Sequence, residues 1–442
     1  MKEIKETGRE GQASVSGTWF QGLLWMVNKG FLHLLSANIL NKALLFLTTI
    51  IVVRLLSKEA YGTWAYANNI LNFFMLFSGL GAVPGVLQFG SAAQGLKREE
   101  ALHKGLALGI VSNLALSLTI LLSTFLFSLP VKGSTDILRA LAFIPLLTGL
   151  FQILLIYKRV LLLNRSYSFF AVLQTGLHLI LMAVLGYWGG LTGIIAGKYL
   201  ALAVALGALG FSLRMSLPGI RAWRGFVRQI DRAFFKFCVT VSLTNSASSA
   251  LYLVDTLLIG IILKDSVEIA SYRVSSSIPF ALNVISATVI MFAYPYFVRM
   301  AGDLKKAKRY FFKLQGGIAL FQFFLTGALF LFAPIIVRFI YGGEYNDSVE
   351  AFRVLLLGYF FVSAVRIPGG NFIASQLHVR FNLILTGISG VGNILLDIFL
   401  IGRYGRLGAA MATSTVFILS SLAIMVYITV MKPKVKQECV PD

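Results

Sequence analysis

The stretch Val349–Asn382, VEAFRVLLLGYFFVSAVRIPGGNFIASQLHVRFN, is long and apolar enough to cross a bilayer as a helix. Arg366 sits near its middle, and Pro368, Gly369 and Gly370 follow at once. A guanidinium at membrane depth costs at least about 2.5 kcal/mol, so it must face protein or water rather than lipid. Proline removes a backbone donor, and two glycines let the chain bend. The segment therefore reads as a broken membrane helix beside a charge, with Pro368, Gly369 and Gly370 as its hinge. Such a break points to a binding site between helices. The plainer alternative is a snorkelling or ion-paired structural arginine in a kinked helix.

The rest of the chain has the same character. Of its 442 residues, 57% are hydrophobic and 13% charged, and the mean hydropathy is +0.81. That composition belongs to an all-α polytopic membrane protein. About twelve apolar runs are each long enough to span the hydrocarbon core: Leu32–Leu55, Thr63–Leu87, Gly105–Leu129, Ile137–Leu161, Phe169–Tyr187, Leu191–Leu213, Phe234–Leu263, Ser271–Phe297, Leu314–Ile340, Val349–Leu377, Leu383–Ile401 and Leu407–Met431. No soluble domain fits between them.

The net charge of +21 does not point to nucleic acid, because of where it falls. Lys and Arg gather at the N-terminus (Lys2, Lys5, Arg9) and after every second span. The richest clusters are Arg214–Lys236 and Arg299–Lys313; Lys432, Lys434 and Lys436 end the chain. The alternate connections are short and poorer in basic residues. This is the positive-inside pattern, with both termini cytoplasmic and the basic excess in contact with anionic lipid heads. Trp19–Lys29 reads as an interfacial amphipathic helix. Cys238 and Cys439 define no disulfide framework, and no cleavable signal peptide precedes the first span.

The spans fall into two sets of six about the basic segment. Tyr61 and Pro84 match Tyr272 and Pro295 at equal separation, and Gly186–Leu191 (GYWGGL) matches Gly402–Leu407 (GRYGRL). Arg139 and Arg353 each open the fourth span of their half. The implied organisation is a cytoplasmic N-terminus (1–30), a first six-helix bundle (31–213), a basic linker (214–233), a second bundle (234–431) and a cytoplasmic tail (432–442). An even number of spans per unit gives halves of the same orientation, with the substrate path between them.

Polar residues inside the spans form stripes. Span seven carries Thr244, Asn245, Ser248, Ser249, Tyr252, Asp255 and Thr256 on one helical face, and span one carries Asn38, Asn41, Lys42, Thr48 and Thr49. Span two offers Asn68, Asn69 and Asn72; span eight offers Arg273, Ser276, Ser277, Asn283 and Ser286; span eleven offers Asn382, Thr386, Ser389, Asn393 and Asp397. Helix–helix hydrogen bonding accounts for many single residues. A wet cleft between the halves accounts for the paired stripes together. Lys42, Lys198, Arg273, Arg353 and Arg366 would line it with positive charge, together with Asn69 and Asn245. Arginine grips phosphate bidentately and lysine binds it as a point charge. Arg273 and Arg353 lie near span starts, where snorkelling is equally open to them, and Arg54, Lys58, Lys264 and Arg338 are discounted for that reason. Asp255 and Asp397 either pair with these bases or take up H⁺ or Na⁺ during a transport cycle.

Motifs for chemistry are missing. There is no GxxxxGK[ST] loop and no HExxH or paired Cys/His spacing. His33, His103, His178 and His378 are isolated. Neither an enzyme, a cofactor nor a metal centre is expected, only H⁺ or Na⁺ coupling.

Four motifs in order carry a family likeness. Asn41-Lys-Ala with Arg54-Leu-Leu-Ser-Lys-Glu-Ala-Tyr-Gly62 comes first, then Asp255-Thr-Leu-Leu-Ile-Gly260 with Ala270-Ser-Tyr272 and Pro295. Ile340-Tyr-Gly-Gly-Glu-Tyr345 follows, and Asn393-Ile-Leu-Leu-Asp397 with Tyr404-Gly-Arg-Leu-Gly-Ala-Ala-Met-Ala-Thr413 ends the series. Together they resemble the polysaccharide transporter family, the Wzx-type flippases of the MOP superfamily. Ser271 stands where that family usually has glycine. The resemblance implies two pseudo-symmetric six-helix bundles in a MATE-like V, with spans one, two, seven and eight around the cavity, in the inner membrane. It implies translocation of an undecaprenyl-pyrophosphate-linked oligosaccharide (an O-antigen, capsule or exopolysaccharide repeat unit), with a polymerase and glycosyltransferases as partners. The alternatives are a MATE-type drug or cation antiporter, which needs an acidic cavity, a membrane glycan polymerase or ligase, and a non-transporting scaffold. On the leading reading, Arg366→Ala and Lys42→Ala each abolish surface polysaccharide with protein levels unchanged, measured in complemented deletion cells; full export from both removes the site.

Overall fold

The structure, a computed structural model, describes residues 31–93, 95–213, 230–300 and 302–432. The expected interfacial helix Trp19–Lys29, most of the basic linker, and Cys439 with the tail beyond Lys432 lie outside the described residues, as does the side chain of Ser248. Among the described residues the chain is helical, without strands. The first half comprises α1 (Phe31–Leu55), α2 (Lys58–Met75), a 3₁₀ turn (Ser78–Gly81), α3 (Ala82–Ala92), α4 (Leu96–Leu126), α5 (Ser134–Ala140), α6 (Ile144–Val160) and α7 (Asn164–Ser212). The second half comprises α8 (Arg232–Leu263), α9 (Ser266–Arg299), α10 (Leu304–Leu331), α11 (Ala333–Ile340), a 3₁₀ turn (Gly343–Ser348), α12 (Val349–Phe361), a π-helical turn (Val362–Arg366), α13 (Ile367–Ser375) and α14 (Val379–Val430). Each expected span has its helix, and the fold is that of an all-α polytopic membrane protein.

Two helices look too long. α7 runs 49 residues and α14 runs 52, and at about 1.5 Å per residue either would be more than twice as long as the bilayer core is thick. Each reverses at a glycine. Gly190 (φ 53°, ψ −131°) and Gly405 (φ 57°, ψ −138°) occupy the same positive-φ conformation, one that a side chain disfavours. The arms then touch backbone to backbone. A Cβ on Gly193 would lie 1.8 Å from the Leu185 carbonyl oxygen, and one on Gly408 would lie 2.1 Å from that of Leu400. α7 and α14 are therefore helical hairpins, each supplying the last two crossings of its half. The structure corrects the sequence match by one residue: Gly190 corresponds to Gly405 and Gly193 to Gly408, not Leu191 to Leu407.

Matching caps set a second register, which corrects the other sequence match: it pairs Tyr272 with Trp64, not with Tyr61. The Ser57 side chain accepts the Ala60 N–H to open α2, and Asp265 accepts the Val267 N–H to open α9. The halves meet along α2 and α3. At one end Gly62 lets α2 touch α9, where a Cβ would fall 1.8 Å from the Ser266 carbonyl oxygen. Further along, Gly260 of α8 receives the Tyr66 ring, and Gly81 and Gly85 receive Cys238. At the other end Lys104 bonds Asp231 at 2.9 Å. The Phe234 N–H and then Lys104 hold that carboxyl below its usual range. α1 instead packs on the α7 hairpin of its own half.

The break expected in the tenth span is milder than its sequence suggests. The backbone stays helical through Pro368, Gly369 and Gly370. The Ile367 N–H reaches back to the Val362 carbonyl, which makes a π turn, and proline in the first turn that follows loses no bond the helix needs. Gly369 is a packing glycine: a Cβ there would lie 2.3 Å from the Ile424 side chain. The hairpin argument makes a sharp prediction. Gly193→Val and Gly408→Val each destabilise by about 1–3 kcal/mol or more through over-packing. Gly207→Ala, with no neighbour within 4 Å, leaves the thermal midpoint of the detergent-purified chain unchanged or slightly raised.

Candidate functional site

α8, α9, the π turn, α13 and α14 enclose a cavity of about 510 Å³. All of its lining comes from the second half, including Asp255, Arg273, Ser276, Arg366, Asn371, Ser389, Asn393 and Thr413. The cleft expected between the bundles is thus, in this conformation, a cavity within one of them.

Asp255 lines the cavity; Asp397 does not, but is joined to it through Asn393. The Asn393 amide donates to both, to Asp255 Oδ1 at 2.9 Å and to Asp397 Oδ2 at 2.7 Å. Thr413 donates to Asp255 Oδ2 at 2.7 Å, and the Tyr272 hydroxyl donates to the same oxygen. Asp397 is fully buried, and its Oδ1 has no hydrogen-bond partner. Among the described residues neither carboxylate forms an ion pair with Lys or Arg, so the expected pairing with the buried bases does not occur. The five side chains come from α8, α9 and both arms of α14, so the hairpin turn at Gly405 helps to set the geometry of the cluster.

Among the described residues the two arginines on the cavity also form no ion pair with a carboxylate. Arg366 leaves the π turn with its guanidinium 5.6 Å from the Phe417 ring centroid, a cation–π contact that shelters the charge without neutralising it. Arg273 reaches the Tyr61 hydroxyl of the first half. The other sequence candidates lie elsewhere. Lys42 is exposed on α1, and Asn245 is exposed on α8. Asn69 is buried at the seam, where its amide donates to the Leu253 carbonyl at 3.0 Å. Arg353 donates to the Phe330 carbonyl at 3.2 Å, close to the Gly343–Ser348 turn. Lys198 sits inside the first half, bonded to Asn68 Oδ1 at 2.8 Å. Charge and span depth are visible in sequence, but the face a side chain presents depends on helix rotation.

Residues discounted as snorkelling close one end of the molecule. Lys58 pairs with Asp347 at 2.7 Å and donates to the Glu344 carbonyl at 2.9 Å. Arg54 donates to the Ile340 carbonyl at 2.8 Å and to that of Phe339. Arg406 bonds Glu268 and lies 3.2 Å from Asp347, which also accepts from Ser271 at 2.9 Å. Asp347 thus ties α2 of the first half to α9 and α14 of the second.

Residues 51–350 match the family described as polysaccharide biosynthesis protein. The chain belongs to that family. No curated protein matches it. Among solved structures, a multidrug resistance MATE transporter of the MOP superfamily in its inward-facing conformation superposes with a TM-score of 0.70, at 14% identity over 88% of this chain and 94% of its own. Lipid II flippase MurJ in an inward closed conformation also scores 0.70, at 17% identity over 90% and 87%. An outward-facing MATE scores 0.57, at 14% identity over 90% and 95%. This member of the polysaccharide biosynthesis family therefore has the fold of MOP-superfamily transporters, and it superposes better on those inward forms than on the outward one.

The Asp347 hub generates a prediction. In a chain with Cys238 and Cys439 replaced by serine and Ser277→Cys placed on the cavity, adding Asp347→Asn raises labelling by an impermeant thiol reagent applied to the hub's side of the membrane. Unchanged labelling shows that the hub does not hold that end shut.

Proposed function

We propose that the chain is a flippase that moves an undecaprenyl-pyrophosphate-linked oligosaccharide from the cytoplasmic to the outer leaflet by alternating access. The observation that carries the reading is the cavity in which two guanidiniums, Arg273 and Arg366, face one lining carboxylate, Asp255, with no ion pair between them. Arginine is a planar, permanently charged fork that matches a diphosphate. A volume of about 510 Å³ is that of a drug-sized ligand pocket. It admits the diphosphate head and its nearest sugar. The remaining glycan occupies water opened by separation of the bundles, and the lipid tail stays in the bilayer.

Asp255 and Asp397 supply the coupling. Two carboxylates and the Thr413 hydroxyl offer oxygen ligands of the kind a hard cation takes, and a carboxylate pair sharing a site equally takes a proton. Either ion makes the wall of the cavity more positive, so ion and anionic head group favour each other's binding. On this reading the Asp347 hub faces outward, both termini are cytoplasmic, and the protein works in the inner membrane beside the glycosyltransferases that build its substrate and the polymerase that uses it.

A MATE-type antiporter of cationic drugs is the second reading, favoured by the carboxylate pair and opposed by the two arginines. The two are separated in deletion cells expressing variants at equal protein level. Arg366→Ala lowers surface polysaccharide by about tenfold or more, because the interaction lost is a charge-assisted bidentate one, and Arg366→Lys restores only part of it. The lipid-linked intermediate accumulates on the cytoplasmic leaflet. Full export by Arg366→Ala, or drug resistance conferred by the wild-type chain with no polysaccharide phenotype, removes the flippase reading.

A further inference from the structure

The two halves are built alike, so what they do not share is informative. The caps Ser57 and Asp265 and the hairpin glycines Gly190 and Gly405 fix which residues correspond. Counted equally from those marks, Asp255 corresponds to Leu47, Tyr272 to Trp64, Asn393 to His178, Asp397 to Met182 and Thr413 to Lys198. The first half thus has an apolar residue in place of each carboxylate, Leu47 exposed and Met182 buried. In exchange it gains an ammonium.

That ammonium lands where the correspondence says it should. Lys198 Nζ is 2.8 Å from Asn68 Oδ1 and 5.4 Å from the Trp64 ring centroid. Trp64 and Asn68 are the counterparts of Tyr272 and Ser276, which line the second half's cavity. Among the described residues no carboxylate pairs with Lys198. An amide oxygen and an indole face stabilise the charge instead, through a hydrogen bond and the ring quadrupole. At the corresponding place, and among the described residues, one half has carboxylates with no paired cation and the other a cation with no paired carboxylate.

We propose that Lys198 is a resident cation: covalently tethered, it fills in the first bundle the place that the Asp255–Asp397 cluster keeps for a coupling ion in the second, so that ion occupancy switches the second bundle alone. The proposal rests on the ion-coupled reading given above. Its consequence is an asymmetric machine. The first bundle is permanently in its loaded state. The second presents its more positive wall when its ion is bound, and then the corresponding places in both bundles carry a cation.

The test uses the full chain in deletion cells, with surface polysaccharide as the readout and membrane level and thermal midpoint measured for each variant. Lys198→Met folds normally and loses about tenfold or more of export, the size of an ordinary coupling between sites, and Lys198→Arg recovers most of it. Should Lys198→Met fail to fold, Lys198→Thr, which installs the second half's residue, takes its place. Leu47→Asp combined with Lys198→Thr gives the first half a carboxylate able to recruit a diffusible cation, and it exports better than Lys198→Thr alone, increasingly so as external sodium or acidity is raised. Wild-type export from Lys198→Met overturns the proposal. So does a folded Leu47→Asp/Lys198→Thr chain that exports no better than Lys198→Thr, because a lysine needed only to hold the anionic substrate cannot be replaced by a carboxylate. Asp255→Asn serves as the separate control: if it exports normally, the ion-coupled reading falls, whatever the Lys198 variants do.

Discussion

A bilayer interior offers no water to a charged group, and the surroundings of the charges buried within the described spans follow from that condition. A carboxylate or ammonium left alone there is costly, so each must be solvated by protein. The second half does this for Asp255 with hydroxyl and amide donors from Tyr272, Thr413 and Asn393. It does not do it completely for Asp397, whose Oδ1 remains without a partner in a fully buried position. An unsatisfied acceptor at that depth is a standing demand for a proton or a cation. The arginines are treated differently. Arg366 lies over an aromatic ring, and Arg273 touches a tyrosine hydroxyl, which leaves both positive charges available to something in the cavity.

The cluster exists because the backbone can turn sharply at Gly405. Asn393 and Asp397 lie on one arm of α14 and Thr413 on the other, and they converge only because Gly408 lets the arms approach to backbone contact. The same device recurs at Gly190 and Gly193 with nearly the same dihedral angles. A duplicated scaffold therefore fixes the site's frame, while single substitutions on it set the charge. This explains how two halves so alike in backbone carry opposite signs at the corresponding place.

The fold was open to sequence reasoning because hydropathy, bilayer thickness and basic-residue asymmetry act over whole spans and tolerate local error. The site was only partly open. Asp255, Asp397, Arg273 and Arg366 stand out as charges within apolar runs, and they are the candidates that the structure gathers around one cavity. Lys42 and Asn245 look the same in sequence yet are exposed and do not line that cavity, since the face a residue presents is set by helix rotation. Lys58 and Arg54 were discounted for lying at span ends, whereas their partners, Asp347 and the Phe339 and Ile340 carbonyls, lie far along the chain in the other half. No local pattern announces such a contact. Proline and two glycines after Arg366 suggested a break, but a π turn absorbed the missing donor and kept the helix whole.

The two kinds of contact between the halves differ in strength and so in purpose. Along α2, α3 and α8 the contact is made at glycines, with a carbonyl, a thiol or an aromatic ring filling the space where a side chain would be. Close packing of that sort gives way only by wholesale separation, which suits a pivot. At the Asp347 end the contact is made by long side chains reaching carbonyls and a half-exposed carboxylate, and partly exposed ion pairs are each worth only about 0–1 kcal/mol. Such a set closes cooperatively and opens without breaking any core. On the flippase proposal, the energy of binding a diphosphate in the cavity is set against these few marginal contacts and not against the glycine seam.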